Sequence, residues 1–109
     1  MSRSEHLSSK ASIFWHARSG VRFVTVIGVV DVSNAEALAA ALNAPKLNID
    51  MSRLESIDNE GLTTLLLARL CASRVKLRVS RNVRERLDES GILPMFESSD
   101  GDTSNDQPW

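Results

Sequence analysis

The chain has 109 residues, of which 42% are apolar and 25% are charged, and its formal net charge at pH 7 is -1. This length fits one small domain, and the balanced charge excludes bulk electrostatic attraction to nucleic acid or to an anionic membrane surface. The sequence has no apolar run suited to a signal peptide or a membrane span, and Cys71 has no second cysteine for an intramolecular disulfide. We therefore expect a cytoplasmic domain that selects its partners through a local surface.

The first half of the chain predicts a lead-in followed by two strands. Residues 1–10 are polar and rich in serine, which predicts a disordered lead-in to a folded domain over residues 11–96. Residues 11–17 predict a strand that ends in a glycine-containing turn. Residues 21–30 are dense in β-branched side chains on both faces, which predicts a central strand, and Gly28 within it indicates a bulge or a close backbone approach.

A helix and a short strand are predicted next. Ser33 and Glu36 have the spacing of a capping box, which predicts that Ser33 caps the helix. The apolar stripe of that helix would consist of Ala35, Leu38, Ala39 and Leu42. Residues 47–51 alternate between apolar and polar side chains and predict a strand, so the helix would join two parallel strands.

The stretch over residues 54–67 predicts a polar turn followed by a leucine-rich helix. Asp58 is the expected N-cap, and Glu60 would lie in the first turn, where a carboxylate is worth about 0.3–1 kcal/mol through the helix dipole. This contribution explains Glu60 without any partner. The predicted buried stripe contains Leu62, Leu65, Leu66 and Leu70, whereas Thr63, Thr64 and Leu67 would share the side of Glu60.

The last part of the chain predicts a strand, a helix and a tail. Residues 75–79 alternate as a strand with one exposed face, and Ser80 would cap a helix that buries Val83 and Leu87 and stops at Gly91. Residues 97–109 are acidic and poor in apolar side chains, which predicts a disordered tail. The element order β-β-α-β-α-β-α predicts an α/β domain with a mixed four- to five-stranded sheet and about three helices.

Four segments resemble the STAS domain family. Residues 28–31 (Gly-Val-Val-Asp) are similar to the Gly-x-x-Asp that precedes the first helix of that family. Residues 47–52 and 57–62 resemble its strand, loop and Asp-Ser-Ser-Gly-Leu helix start, and residues 83–96 resemble its closing helix. The likeness implies an anti-sigma factor antagonist, a non-catalytic bacterial regulator of transcription whose partner is an anti-sigma factor of the histidine-kinase-like ATPase type.

The resemblance also implies which residues contact the partner. The residues themselves show no metal-ligand spacing, no phosphate-binding glycine loop, no catalytic set and no aromatic platform for nucleic acid, so we expect no metal, cofactor, nucleic acid or small-molecule substrate. The partner-binding surface would consist of Asp31, Val32, Ser33, Asp58, Asn59, Glu60, Gly61, Thr63, Thr64 and Leu67. In regulated relatives, a partner kinase phosphorylates a serine directly before the glycine. Here Glu60 occupies that position and Asn59 occupies the position of the first serine, so this switch is missing.

Glu60 permits two interpretations within this resemblance. A phosphoserine carries a charge of about -1.5 to -2, whereas a carboxylate carries about -1 with planar oxygens. Glu60 either mimics the phosphorylated state and weakens partner binding, or meets a partner surface that accepts the carboxylate, for example through an arginine.

The sequence also permits two other functions. Some single STAS domains are cytosolic subunits of lipid-transporting ABC systems. Asp50 at a strand end is similar to the phosphoacceptor of receiver domains, which also need an acidic pair and a lysine.

Cys71 is expected to be buried in the leucine-rich helix. A basic stretch is expected to be a solvated face; it contains Arg69, Arg74, Lys76, Arg78, Arg81, Arg84 and Arg86. The family commonly continues with another strand and helix, for which only Met95 and Phe96 remain.

Overall fold

A computed structural model of the chain describes residues 3–7 and 10–97. Within these ranges it contains six strands and four helices in one α/β domain, in agreement with the predicted fold class. The strands are β1 (Arg3–Leu7), β2 (Ala11–Arg18), β3 (Val21–Val30), β4 (Lys46–Met51), β5 (Leu54–Ile57) and β6 (Arg74–Val79). The helices are α1 (Ala35–Ala41), α2 (Asn59–Cys71), α3 (Arg81–Glu89) and α4 (Leu93–Glu97).

The sheet is mixed, and its strands follow the order β1-β2-β3-β4-β6, with β5 also paired to β3. β1, β2 and β3 are antiparallel neighbours, whereas β3, β4 and β6 run parallel. β4 pairs with the first half of β3, and β5 pairs in parallel with its last residues. The prediction that β3 is central is therefore confirmed, and the carboxyl end of β3 lies beside the segment that leads into α2.

An apolar cluster lies between the sheet and the helices. β3 contributes Val24 and Val26 and β4 contributes Leu47 and Ile49, all at most 1% exposed, which pack with buried side chains of all four helices. Phe23 and Thr25, which point to the other face of β3, are only partly buried. In the described part of the chain, no helix combines the length and apolar character that crossing a membrane would require.

The prediction that residues 1–10 form a disordered lead-in is wrong for Arg3–Leu7, which form β1. Arg3–Leu7 pairs antiparallel with residues 12–16 of β2. A β-ladder is held by backbone hydrogen bonds, which a polar sequence supplies as well as an apolar one, so side-chain pattern gave no sign of this strand. Two more short elements, β5 and α4, were also not predicted. Of the predicted tail over residues 97–109, Glu97 ends α4 and residues 98–109 lie outside the described residues.

The predicted capping box at α1 is wrong. Asn34, not Ser33, precedes the helix, and its side chain makes no capping hydrogen bond. Ser33 instead donates from both its backbone N–H and its hydroxyl to Asp31 Oδ1, at 2.9 and 2.5 Å. Ala39 is exposed rather than buried, while Ala41 is fully buried. The helix starts one residue later than the capping pattern indicates, but Leu38 and Leu42 of the predicted stripe are buried as expected.

The predicted ends of α3 are confirmed. Ser80 Oγ accepts a hydrogen bond from Val83 N at 3.4 Å, and Val83 and Leu87 are fully buried. Gly91 has φ +80°, and Ile92 N donates to Leu87 O at 3.1 Å. This is the 6→1 hydrogen bond of a Schellman motif. Because both signals depend on residues within one turn of the helix end, sequence alone identified them.

The predicted apolar stripe of α2 is partly wrong. Leu62 and Leu65 are buried as expected, but Ala68 completes the buried face, whereas Leu70 is 63% exposed. Cys71, which was expected to be buried, is exposed. At 100° per residue, positions 62, 65 and 68 form one face of a helix, and position 70 lies off that face. In a helix so rich in leucine, periodicity does not decide which leucines face the core.

Gly28 confirms the predicted close backbone approach. Its φ is +105°, and a Cβ at this position would lie 2.2 Å from Lys10 O. Val29 N donates to the same carbonyl at 2.8 Å, and the pairing of β3 with β5 shifts register between Gly28 and Val29. Only glycine combines this φ with this contact.

Candidate partner-binding site

Asp58 fixes the turn that opens α2 through hydrogen bonds of both its side chain and its backbone N–H. The Asp58 carboxylate accepts a hydrogen bond from Gly61 N at 3.1 Å, which confirms the predicted N-cap. Asp58 N donates to Val30 O at 3.0 Å, and Val30 pairs with Ile57 where β3 runs beside β5. The first turn of α2 is thereby anchored to the carboxyl end of the central strand.

Gly61 allows the helix to approach the sheet closely. A Cβ at Gly61 would lie 2.5 Å from Ile57 Cγ1 and 2.7 Å from Val30 Cγ1, closer than side-chain carbons pack. Gly61, which the resemblance places in the partner-binding surface, is buried beneath this turn. Its physical role is to place Asn59 and Glu60 against the end of the sheet.

Glu60 places a carboxylate on the surface of this turn. The residue is exposed, and its carboxylate forms no hydrogen bond or ion pair with any residue in the described ranges. The nearby hydroxyls do not bind it, because Thr63 Oγ1 donates to Asn59 O and Thr64 Oγ1 donates to Glu60 O, both at 2.9 Å. The backbone of the turn is thus well held, while the carboxylate itself remains available to another molecule.

An apolar extension follows Glu60 along the exposed side of α2. Thr63 is exposed and Thr64 is partly buried, and Leu67 is 55% exposed, as the spacing from Glu60 predicted. Leu70, one further turn along, is also exposed. Exposed large apolar side chains that cluster on one helix face, rather than being scattered, are typical of interaction surfaces.

The turn between β3 and α1 lies next to the start of α2. Val30 binds Asp58, and Asp31 directly follows Val30, which places the predicted segments 31–33 and 58–60 together at one end of the sheet. Asn34 is 1% exposed and holds this turn from inside: its side chain donates to Val29 O and accepts from Asp31 N, both at 3.0 Å. Val32 projects outward with 72% exposure.

Asp31 is held by three donors. Lys10 Nζ lies 2.6 Å from Asp31 Oδ2, and the two Ser33 donors bind Oδ1. The Lys10 hydrogen bond, followed by those of Ser33, lowers the pKa of Asp31 to about 2. The same contact raises the pKa of Lys10. Asp31 and Ser33 were predicted to contact a partner, but their mutual hydrogen bonds also give them a structural role.

Sequence reasoning missed Arg86. Its Nε donates to Ile57 O and its Nη2 donates to Asn59 Oδ1, both at 3.1 Å. Arg86 therefore departs from the predicted solvated basic face, as does Arg69, whose Nε donates to Met95 O at 3.0 Å. Nothing in the sequence links residues 86 and 59, because only the packing of α3 against β5 brings them together.

Asp50 lies near the end of β4, where it was considered as a phosphoacceptor. Its carboxylate accepts hydrogen bonds from Ser52 N at 2.9 Å and from Ser52 Oγ at 2.6 Å. Burial raises the pKa of Asp50, but the two Ser52 hydrogen bonds, with Arg78 and Arg53, leave it below its ordinary value. Among the residues that the structure describes, no group of three or more His, Cys, Asp or Glu side chains is placed to hold a metal ion.

Comparison with known proteins gives likenesses at the level of structure. No family model and no curated protein matches the chain. The crystal structure of an anti-sigma factor antagonist from Mycobacterium paratuberculosis is 24% identical with a TM-score of 0.65, and the match covers 79% of this chain and 82% of that one. The structure of the anti-sigma factor antagonist SpoIIAA in its unphosphorylated form is 17% identical with a TM-score of 0.66, and the match covers 84% of this chain and 99% of that one. The chain therefore has the STAS fold of these antagonists, which confirms the predicted fold.

Proposed function

We propose that this chain, which has the fold of anti-sigma factor antagonists, is itself a non-catalytic bacterial module of that type. Its partner is an anti-sigma factor with a histidine-kinase-like ATPase domain, and the pair acts in the cytoplasm to regulate transcription. One observation carries the proposal: Glu60, which is exposed and has no partner among the described residues, stands where the STAS resemblance puts a phosphorylatable serine.

The proposed binding surface combines one charge with apolar area. Glu60 supplies the charge, and Val32, Leu67 and Leu70 supply exposed apolar side chains. Apolar side chains contribute affinity when the partner covers them, whereas a complementary charge pair fixes the orientation and excludes wrong partners. The surface thus has the two components that a specific protein interface needs.

Glu60 contributes to this interface by meeting a cation of the partner. No described side chain neutralises its charge, so a partner that covers Glu60 must supply an arginine or lysine or else bury an uncompensated charge, which is costly. The residue at this position cannot accept a phosphoryl group as a serine hydroxyl does. The interaction is therefore constitutive with respect to phosphorylation at residue 60.

Affinity measurements with Glu60 variants test the proposal. The wild-type chain is titrated against the histidine-kinase-like anti-sigma factors of its own genome, and the variants Glu60→Gln, Glu60→Ala and Glu60→Ser are titrated against each binder. We expect all three variants to bind at least about tenfold more weakly, since a hydrogen bond to a charged group contributes about 1.5–3 kcal/mol. Glu85→Gln, which removes an exposed carboxylate from α3, is the matched control.

Other results would contradict specific parts of the proposal. Tighter binding by Glu60→Ser would mean that Glu60 mimics phosphoserine and holds the chain in a low-affinity state. Recovery of an ABC ATPase, rather than a histidine-kinase-like ATPase, as the partner in pull-downs would favour a transport subunit. Labelling of Asp50 by acetyl phosphate would indicate a receiver-like activity.

A further inference from the structure

Helix α3 satisfies carbonyl groups along β5 with side-chain donors. β5 pairs with β3, and three polar side chains of α3 and its N-cap donate to three of the four backbone carbonyls of β5. The contacts are Ser80 Oγ to Leu54 O at 2.7 Å, Asn82 Nδ2 to Glu55 O at 3.3 Å and Arg86 Nε to Ile57 O at 3.1 Å. These hydrogen bonds set the position of the segment that leads directly into α2.

Arg86 extends this set of contacts to the first residue of α2. While Nε binds Ile57 O, Nη2 binds Asn59 Oδ1, so one guanidinium spans the end of β5 and the start of the helix. The guanidinium has only donors, which means that Asn59 must turn its amide oxygen, and not its nitrogen, toward Arg86. The hydrogen bond from Arg86 therefore determines the orientation of the Asn59 amide.

This orientation leaves the Asn59 amide nitrogen facing away from Arg86. Asn59 is exposed, and its Nδ2 donates to no residue in the described ranges. Next to it stands the unpaired carboxylate of Glu60. The start of α2 thus presents, on adjacent residues, a hydrogen-bond donor and an anionic acceptor that no described residue uses.

We propose that Asn59 is a specificity-determining donor of the partner surface and that Arg86 is the residue that positions it. This inference rests on the proposed function. The fitting partner presents a carbonyl or carboxylate oxygen to Asn59 Nδ2 beside an arginine or lysine that meets Glu60. Arg86 acts through Asn59 and the turn, without contacting the partner.

The positioning role is tested first in the free protein. Side-chain amide resonances of Asn59 and the backbone amide of Glu60 are compared by NMR in wild type, Arg86→Lys and Arg86→Met. We expect both variants to shift these resonances, because an ammonium cannot bind Ile57 O and Asn59 Oδ1 in the geometry of the guanidinium. Unchanged Asn59 side-chain resonances in Arg86→Met would overturn the positioning role.

The specificity role is tested by Asn59→Asp. This change keeps an oxygen acceptor for Arg86 and a favourable charge at the start of α2, so the melting temperature should equal or exceed that of wild type. It replaces the outward donor with an acceptor, and we expect at least a tenfold loss of affinity for the anti-sigma factor that wild type binds. Asn43→Asp, the same change at an exposed residue after α1, should bind as wild type does.

The outcomes separate this inference from the function on which it rests. Wild-type affinity by Asn59→Asp would overturn the specificity role while leaving the proposed function in place. Failure of the wild-type chain to bind any anti-sigma factor of the set would overturn the proposed function and the partner assigned to Asn59. The NMR comparison would still decide whether Arg86 orients Asn59.

Discussion

At Asp31, three donors converge on one carboxylate at the edge of the candidate site. The contacts to Lys10 and Ser33 favour the charged form, which is why the pKa of Asp31 falls to about 2. Because the group keeps a lowered pKa only in the folded state, its contacts link stability to pH. Because the pKa of Asp31 is lower in the folded state, the stabilisation that these contacts provide is complete above the pKa of the unfolded state. It is lost as the pH falls through the pKa of the folded state.

Asp31→Asn should therefore destabilise the chain in a pH-dependent manner. We expect the difference in unfolding free energy between wild type and variant to be constant from about pH 5 to 8, and to shrink as the pH falls from the ordinary value of 3.8 toward about 2. Urea denaturation across this range, with an NMR titration of the Asp31 carboxyl, measures both quantities. A difference that stays constant down to pH 2 would contradict the assigned contacts.

Gly28→Ala should be more destabilising than Gly20→Ala. Both glycines have positive φ, +105° and +81°, but a Cβ at Gly28 would meet Lys10 O at 2.2 Å while a Cβ at Gly20 would meet nothing within 4 Å. We expect about 1 kcal/mol of backbone strain at Gly20 and a loss of about 2 kcal/mol or more at Gly28, where the backbone must also shift. Thermal and urea unfolding of the two variants provide the comparison, and equal losses would contradict it.

Single residues were predictable where the deciding contact is local. Asp58 and Ser80 cap their helices through N–H groups three residues away, so the sequence contains both partners. Ser33 satisfies the same pattern, yet it binds Asp31, because Asn34 is buried and fixes the turn in another shape. Arg86 has its partners 27 and 29 residues away in the chain, and no local pattern could identify them.

At the scale of elements, α2 has one face in the core and one face in the candidate site. Leu65 is completely buried, whereas Leu70 on the same helix is 63% exposed. Removing the Leu65 side chain to Ala should cost about 2–5 kcal/mol of unfolding free energy, because it leaves a cavity beneath the helix. Leu70→Ala should change stability by no more than about 0.5 kcal/mol.

Leu70→Ala thereby serves as the matched control for Leu65→Ala, with the same side chain removed from the same helix. Urea denaturation of both variants measures the two changes. Similar losses for both would mean that the buried face of α2 is that of the predicted stripe and not the observed one.

The helices and strands that the sequence predicted are long and periodic, whereas those that it missed are short or lack a side-chain pattern. The long β3 and the 13-residue α2 were predicted because their side chains repeat a clear pattern over many residues. β5 has four residues and α4 has five, too few for either period to be recognised. β1 depends on its backbone pairing with β2, which side-chain composition does not report.

At the scale of the whole molecule, one apolar cluster among the described residues joins the sheet to all four helices. We therefore expect a single cooperative unfolding transition. Far-UV circular dichroism reports the helices, and the fluorescence of Trp15 in a Trp109→Phe variant reports β2. The two signals should give the same urea midpoint, and separate midpoints would show that β2 or the helices unfold independently of the shared core.

The sequence by itself determined the α/β class, the central strand, the N-cap of α2 and the position of Glu60 in its first turn. Each depends on residues close together in the chain, through period, capping or the requirement for glycine. Only the tertiary structure decided which leucines of α2 face the core, that Glu60 has no partner within the described residues, and that Arg86 donates a hydrogen bond to Asn59. These features depend on the packing of α3 against β5 and α2 against the sheet, and segments distant in sequence meet only when the whole chain has folded.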